Sequence, residues 1–148
     1  MSFGKMKVFR IEDIFECGPY CRNHIIRHNV HGIRSQKIRP APWNDGISYY
    51  SKDHYFGFQN LEELKRWFTQ KDRKSFRKNK YRICVYEVKE KHLIIGKKQV
   101  AFIKNKSKRK EILDPLTFEV KDTIKNVRKK RITIAEKLQR KFEDEIPF

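Results

Sequence analysis

Apolar and polar positions first alternate at residues 7–11, Lys-Val-Phe-Arg-Ile, a run of β-formers that predicts a strand. Gly18-Pro19 interrupts the chain, and residues 20–28 fit a short helix. Residues 31–48 hold Gly32, Pro40, Pro42 and the Asn44-Asp45-Gly46 turn signal, which predicts a long loop. Residues 54–58, His-Tyr-Phe-Gly-Phe, predict a short strand in which Gly57 marks a bulge or the close approach of another backbone. Over residues 60–70 the period becomes helical. Leu61, Leu64, Trp67 and Phe68 fall on one face, Glu62, Lys65 and Arg66 point away, and Asn60 with Glu63 forms a capping-box-like start.

Residues 71–80 read as a basic connector. Residues 81–88, 92–95 and 99–103 predict short strands, separated by turns at Glu90-Lys91 and Gly96-Lys97. Residues 104–110, Lys-Asn-Lys-Ser-Lys-Arg-Lys, carry five cations in seven positions and read as a loop, and Asp114-Pro115 marks a turn. Residues 118–131 favour a helix through Val120, Ile124 and Val127. Thr133 and Glu136 form a capping box before Leu138 and Phe142, which predicts a terminal helix. The order predicts an α+β domain, a mostly antiparallel sheet with packed helices. Residues 1–115 would form its core and residues 116–148 a basic helical segment packed on that core or extending from it.

Composition sharpens this picture. With 148 residues, 38% of them hydrophobic, the chain can bury one sizeable core, which excludes disorder throughout. Lys and Arg number 36 against 18 acidic residues, a formal charge of +18. Residues 1–70 hold 11 basic and 7 acidic residues, a net of +4; residues 71–148 hold 25 and 11, a net of +14. Self-repulsion at such a charge opposes compactness, so a neutralising partner is expected, and a phosphate backbone is the commonest. No apolar stretch follows Lys5 and Lys7, so no secretory signal is expected, and no run approaches the roughly 20 apolar residues of a membrane span. The cysteines Cys17, Cys21 and Cys84 are an odd number, which fits reduced thiols in a cytoplasm, the host's if the protein is viral.

The main candidate chemistry is polyanion binding. The basic set is Lys71, Arg73, Lys74, Arg77 and Lys78, then Lys104, Lys106, Lys108, Arg109 and Lys110, then Arg128, Lys129, Lys130 and Arg131. Its expected partner is nucleic acid, DNA or RNA, with an acidic protein surface as the alternative, and no membrane. Phe76 and Tyr81 lie in or beside the first cluster, where rings can stack on bases, although core packing is the more ordinary role for each. Cys17, Cys21, His24 and His28 are metal-ligand types, but their spacing fits no common zinc finger and no metal is expected. In the long loop Arg39, Trp43 and Asp45 are candidate ligand contacts, with Trp43 an apolar anchor. The chain carries no G-x-S-x-G, Walker, H-E-x-x-H or dinucleotide glycine motif.

An Arg-bearing first strand with Arg10, an Arg-Pro loop at Arg39-Pro40, an aromatic strand at Tyr55 leading into a helix, and a later strand pair together resemble the ADP-ribosyltransferase fold. The resemblance spans roughly residues 6–103 and rests on short motifs. It implies NAD as cofactor, Arg10 on its phosphate or ribose, Tyr55 supporting the nicotinamide, and Gln99 of Lys97-Lys98-Gln99-Val100 at the family's acidic position. Gln99 departs from that pattern, because an amide cannot act as a general base. In general character the chain also resembles small basic bacteriophage proteins. The first expectation is therefore a cofactor-free polyanion-binding protein. An ADP-ribosyltransferase-like enzyme using NAD and an inhibitor of a nucleic-acid-handling complex are the alternatives.

Overall fold

The computed structural model describes residues 4–19 and 39–123. In chain order these form β1 (Lys5–Glu12), a 3-10 turn (Pro42–Asn44), β2 (His54–Gly57), α1 (Leu61–Trp67), α2 (Gln70–Lys78) and β3 (Arg82–Lys89). Then come β4 (Leu93–Ile95), β5 (Val100–Ile103), β6 (Lys108–Leu113) and β7 (Val120–Thr123). A four-stranded sheet has the order β1-β3-β6-β7 and a three-stranded sheet the order β2-β5-β4, with every pairing antiparallel. The described residues thus form an α+β fold, as the sequence predicts.

The two sheets meet where the residue after β2 crosses β1: Phe9 and Phe58 exchange both backbone hydrogen bonds, at 2.8 and 2.9 Å. Gly57 sits at this crossing. A Cβ there would lie 2.6 Å from Val8 Cγ1 and 2.9 Å from the Phe9 carbonyl oxygen, so the close approach anticipated from the sequence is to β1.

Strand alternation builds two cores from one sheet. Ile11 on β1, Ile83 and Val85 on β3, and Leu113 on β6 face the helices and pack with Leu64, Trp67, Phe68 and Phe76. Val8, Cys84, Tyr86, Val88 and Ile112 face the second sheet and pack with Val100 and Phe102. The central sheet is therefore covered on both sides, which explains why β3 reads as a nearly continuous apolar run. Phe76 is fully buried and Tyr81 is 5% exposed, in an aromatic chain that runs from Phe58 through Phe68 to Phe76 and Tyr81. These rings are core, not a stacking surface.

Three sequence expectations are corrected. Residues 71–80 are no connector: Thr69 accepts from the Asp72 backbone N–H while Asp72 accepts from the Thr69 N–H, and this capping box starts α2. Phe76 is the helix's one apolar buried residue, too little for a hydropathy period to show. The stretch 104–110 is only partly loop, because β6 begins at Lys108, pairs with β3, and carries a bulge between its pairings to Val85 and Tyr86. Residues 120–123 are strand rather than helix, paired to β6, with Val120 exposed and Asp122 buried. The helices expected at 20–28 and from Thr133 onward lie outside the described residues.

Candidate functional site

Where β1 ends, its core-facing side changes from apolar to charged. Arg10 and Glu12 follow Val8 at the strand period of two, so all three point at the second sheet. Tyr86 on β3 and Arg109 on β6 are cross-strand partners on the same face. Lys104, just after β5, reaches in from the facing sheet. These side chains meet at Glu12, which is 0% exposed. Its carboxylate accepts from Arg10 Nε at 3.0 Å and from the Tyr86 hydroxyl at 2.6 Å. Lys104 Nζ lies 3.4 Å and Arg109 Nη1 3.7 Å from it.

Burial alone would raise the Glu12 carboxyl, but the Lys104 and Arg10 charges and hydrogen bonds from Tyr86 and Cys84 outweigh it and hold Glu12 below the usual carboxylate range. The same environment acts oppositely on the neutral acids. Burial and the Glu12 charge push the Cys84 thiol up to about 12 and drive the Tyr86 phenol upward as well. Burial opposes the Arg109 charge, yet the Cys84, Tyr86, Glu12 and Glu16 groups around it hold that guanidinium above its ordinary value. Among the described residues the cluster sets three basic side chains, Arg10, Lys104 and Arg109, around two carboxylates, Glu12 and Glu16.

A polar cleft of about 310 Å³ opens over this cluster, lined by Glu16, Tyr55, Tyr86, Lys104, Asn105, Ser107 and Arg109. The half-exposed Tyr55 ring roofs it, with Arg10 Cζ at 5.0 Å and Lys104 Nζ at 4.7 Å from the ring centroid. Arg10 is further fixed by donating from Nη1 to the Phe56 carbonyl at 2.8 Å. A second cleft, of about 410 Å³, lies between α1 and the β4–β5 turn and is lined by Glu63, Arg66, Trp67, Lys97 and Lys98. Arg66 there is paired to Glu63 at 2.9 Å.

The structure brings Arg10 and Tyr55 together but not Gln99, which precedes β5 whereas Lys104 follows it. Gln99 is buried, donating from Nε2 to the Pro40 carbonyl at 2.7 Å. Asp45 is 2% exposed and accepts the backbone N–H groups of Lys98 and Gln99 at 3.0 and 2.9 Å. It pins the loop to the β4–β5 turn, where a Cβ on Gly96 would lie 2.5 Å from its Oδ2. Arg39 donates to the Trp67 carbonyl at 2.7 Å, and Trp43 is 66% exposed. Arg39, Trp43 and Asp45 thus lie apart from the Arg10–Tyr55 cleft, and two of them hold the loop in place.

The basic clusters divide in the same way. Lys71, Lys74, Arg77 and Lys78 are exposed on α2, and Lys106 and Lys108 are exposed near β6, with Lys110 half-buried at its bulge. Arg73 faces inward: it donates to the Phe68 and Leu116 carbonyls and stacks 5.0 Å from the Phe118 ring. Lys104 and Arg109 belong to the Glu12 cluster. Arg128, Lys129, Lys130 and Arg131 lie outside the described residues, as do Cys21, His24 and His28. Sequence reasoning missed Glu12 and Tyr86. Their signal was weak: Arg10 and Glu12 sit two apart on one strand face, and Tyr86 sits in an otherwise apolar row.

The site and fold define two antiparallel sheets, the larger with helices on one face and, on the face toward the smaller sheet, a buried ion cluster opening into a cleft. Residues 6–116 match the family described as Bacteriophage T4 Y00F protein, and the chain belongs to that family. It is a phage-type protein. No curated protein and no solved structure matches the chain. No described helix is long and apolar enough to cross a membrane, and no group of side chains suited to a metal ion occurs among the described residues.

Proposed function

We propose that this protein binds nucleic acid through the cationic face of α2. The observation that carries the reading is the spacing of Lys71, Lys74 and Lys78. They stand at i, i+3 and i+7 on the exposed side of the helix, with no ion-pair partner among the described residues. Exposed Lys80 lies just beyond the helix end, and Arg77 flanks the row while contacting Asp114 at 3.3 Å. Elsewhere on the described surface some cations are offset, as in Lys5–Glu87 and Arg66–Glu63. Exposed Lys52, Lys89, Lys91, Lys97, Lys106 and Lys108 have no ion pair among the described residues, but they stand singly or in loops and strands rather than in a row on one helix face. A row of lysines without an ion pair among the described residues, on a chain of formal charge +18, supports phosphate neutralisation with counterion release, since each contact frees condensed ions. The row faces outward from a helix held by the Phe76 core contact and the Thr69 cap, so it is presented rigidly.

The test is charge reversal on a strand-binding assay. Lys71→Glu, Lys74→Glu and Lys78→Glu together should weaken binding to any oligonucleotide by more than about tenfold, with the far-ultraviolet circular dichroism unchanged. Unaltered affinity in the folded triple variant would contradict the reading. Stoichiometric binding to one acidic protein, without affinity for any oligonucleotide, would contradict it in favour of a protein target.

A further inference from the structure

We propose that the cleft over Glu12 receives a terminal phosphoryl group, the charged end of a nucleic-acid strand. The inference rests on the nucleic-acid reading for its ligand but on separate residues for its geometry. Arg109 is the main observation. Its side chain is 8% exposed and lines the cleft, yet its Nε and Nη1 make no hydrogen bond. Its nearest carboxylate oxygens, on Glu12 and Glu16, stand 3.7 and 3.8 Å from Nη1, too far to satisfy an N–H. A buried guanidinium with unmet donors is costly unless something accepts from it.

Charge points the same way. Among the described residues, three basic side chains face two carboxylates in the cluster, an excess of one positive charge. Glu12 accepts from Arg10 and Tyr86, the Ser107 hydroxyl donates to the Ile103 carbonyl at 2.7 Å, and neither accepts from Arg109 Nε or Nη1. An oxyanion with several acceptor oxygens suits a planar donor fork, and Lys104 beside it adds a point charge. Glu16 lines the same cleft and disfavours an anion, but Lys104 at 3.5 Å and Arg109 at 3.8 Å offset it. The volume of about 310 Å³ suits one nucleotide-sized group and excludes a duplex, which confines the site to a strand end.

The test uses the intact chain. Inorganic phosphate is titrated into the wild-type protein while the Arg109 Nε–H resonance is followed by NMR, with sodium acetate as the carboxylate control. Oligonucleotides of one sequence, bearing a 5′-phosphate, a 3′-phosphate or only hydroxyl ends, are compared by fluorescence anisotropy. The proposal predicts a saturable Arg109 shift with phosphate but not acetate. It also predicts a preference of about tenfold for one phosphorylated end, lost in Arg109→Lys, which keeps the charge and removes the fork. No Arg109 shift, an equal response to acetate, or equal affinity for all three strands would overturn it. If Arg109→Lys does not fold, the wild-type titration and strand comparison still decide. Failure of the α2 reading looks different: charge reversal on α2 leaves strand binding unchanged, while phosphate still moves Arg109.

Discussion

Replacing Glu12 with Gln isolates the energetic weight of the buried cluster. The substitution keeps the size of the side chain and an oxygen for the Tyr86 hydroxyl, but removes the charge that three cations approach at 3.0, 3.4 and 3.7 Å. A pair at that separation attracts by roughly 4–5 kcal/mol at an effective dielectric constant near 20, and desolvation of the carboxylate offsets part of the sum. What remains after substitution is Arg10 without its carboxylate partner and Lys104 and Arg109 left with Glu16 alone; breaking a buried pair typically costs about 3–5 kcal/mol. For a domain of this size that lowers the thermal midpoint by roughly 10–15 °C. Urea unfolding followed by the fluorescence of Trp67, 7% exposed in the native state, reads the loss as a shift in midpoint at constant slope. Tyr86→Phe, which removes one hydrogen bond to the same carboxylate, should cost only about 1.5–2 kcal/mol. A Glu12→Gln loss below about 1 kcal/mol would refute the view that Glu12 organises this end of the sheet.

Two further outcomes follow from other buried carboxylates. Asp45→Ala strips the acceptor from the Lys98 and Gln99 backbone N–H groups and should cost about 2–3 kcal/mol in the same urea assay, with a loss near zero counting against its anchoring role. Asp114 is also held low: burial would raise it, but the Thr117 and Leu116 backbone N–H groups, with Lys121 and Arg77, outweigh that. Glu12 and Asp114, both lowered in the folded state, stabilise the fold above their unfolded pKa values, near 4, and lose that contribution as pH falls through the lower folded values. Urea midpoints should therefore drop below about pH 4, less steeply in Glu12→Gln, and a midpoint flat from pH 5 to about 2 would contradict the assignment.

Elements whose inward side chains are apolar were legible in the sequence. The β3 run and the α1 face of Leu64 and Trp67 lie where hydropathy places them, and Asn60 caps α1 by accepting from the Glu63 N–H at 2.8 Å. Elements whose inward positions are charged were not. On α2 the buried side chains are Arg73 and Phe76, and on β6 Arg109 turns toward Glu12, so both stretches read as solvated basic sequence. A positive residue signals solvent only when no buried carboxylate or carbonyl awaits it, and that depends on strands distant in sequence: Glu12 and Tyr86 are 74 residues apart. The same blindness separated Arg10 from its partners and grouped Lys104 and Arg109 with surface lysines. Asp45 looked like a ligand residue because a polar side chain in a long loop can serve either a ligand or the backbone, and Gln99 because the fold resemblance put it at an acidic position; here the backbone takes both.

The salt dependence of strand binding tests the central claim most directly. Affinity for a duplex oligonucleotide, measured by anisotropy from about 50 to 300 mM salt, should fall linearly on logarithmic axes with a slope near −0.9 per neutralised phosphate. With Lys71, Lys74, Lys78 and Lys80 engaged, the account predicts a slope of about −3 to −4, reduced by about 2 to 3 when the first three are reversed to Glu. An affinity indifferent to salt, or no binding at the lowest salt, would contradict it.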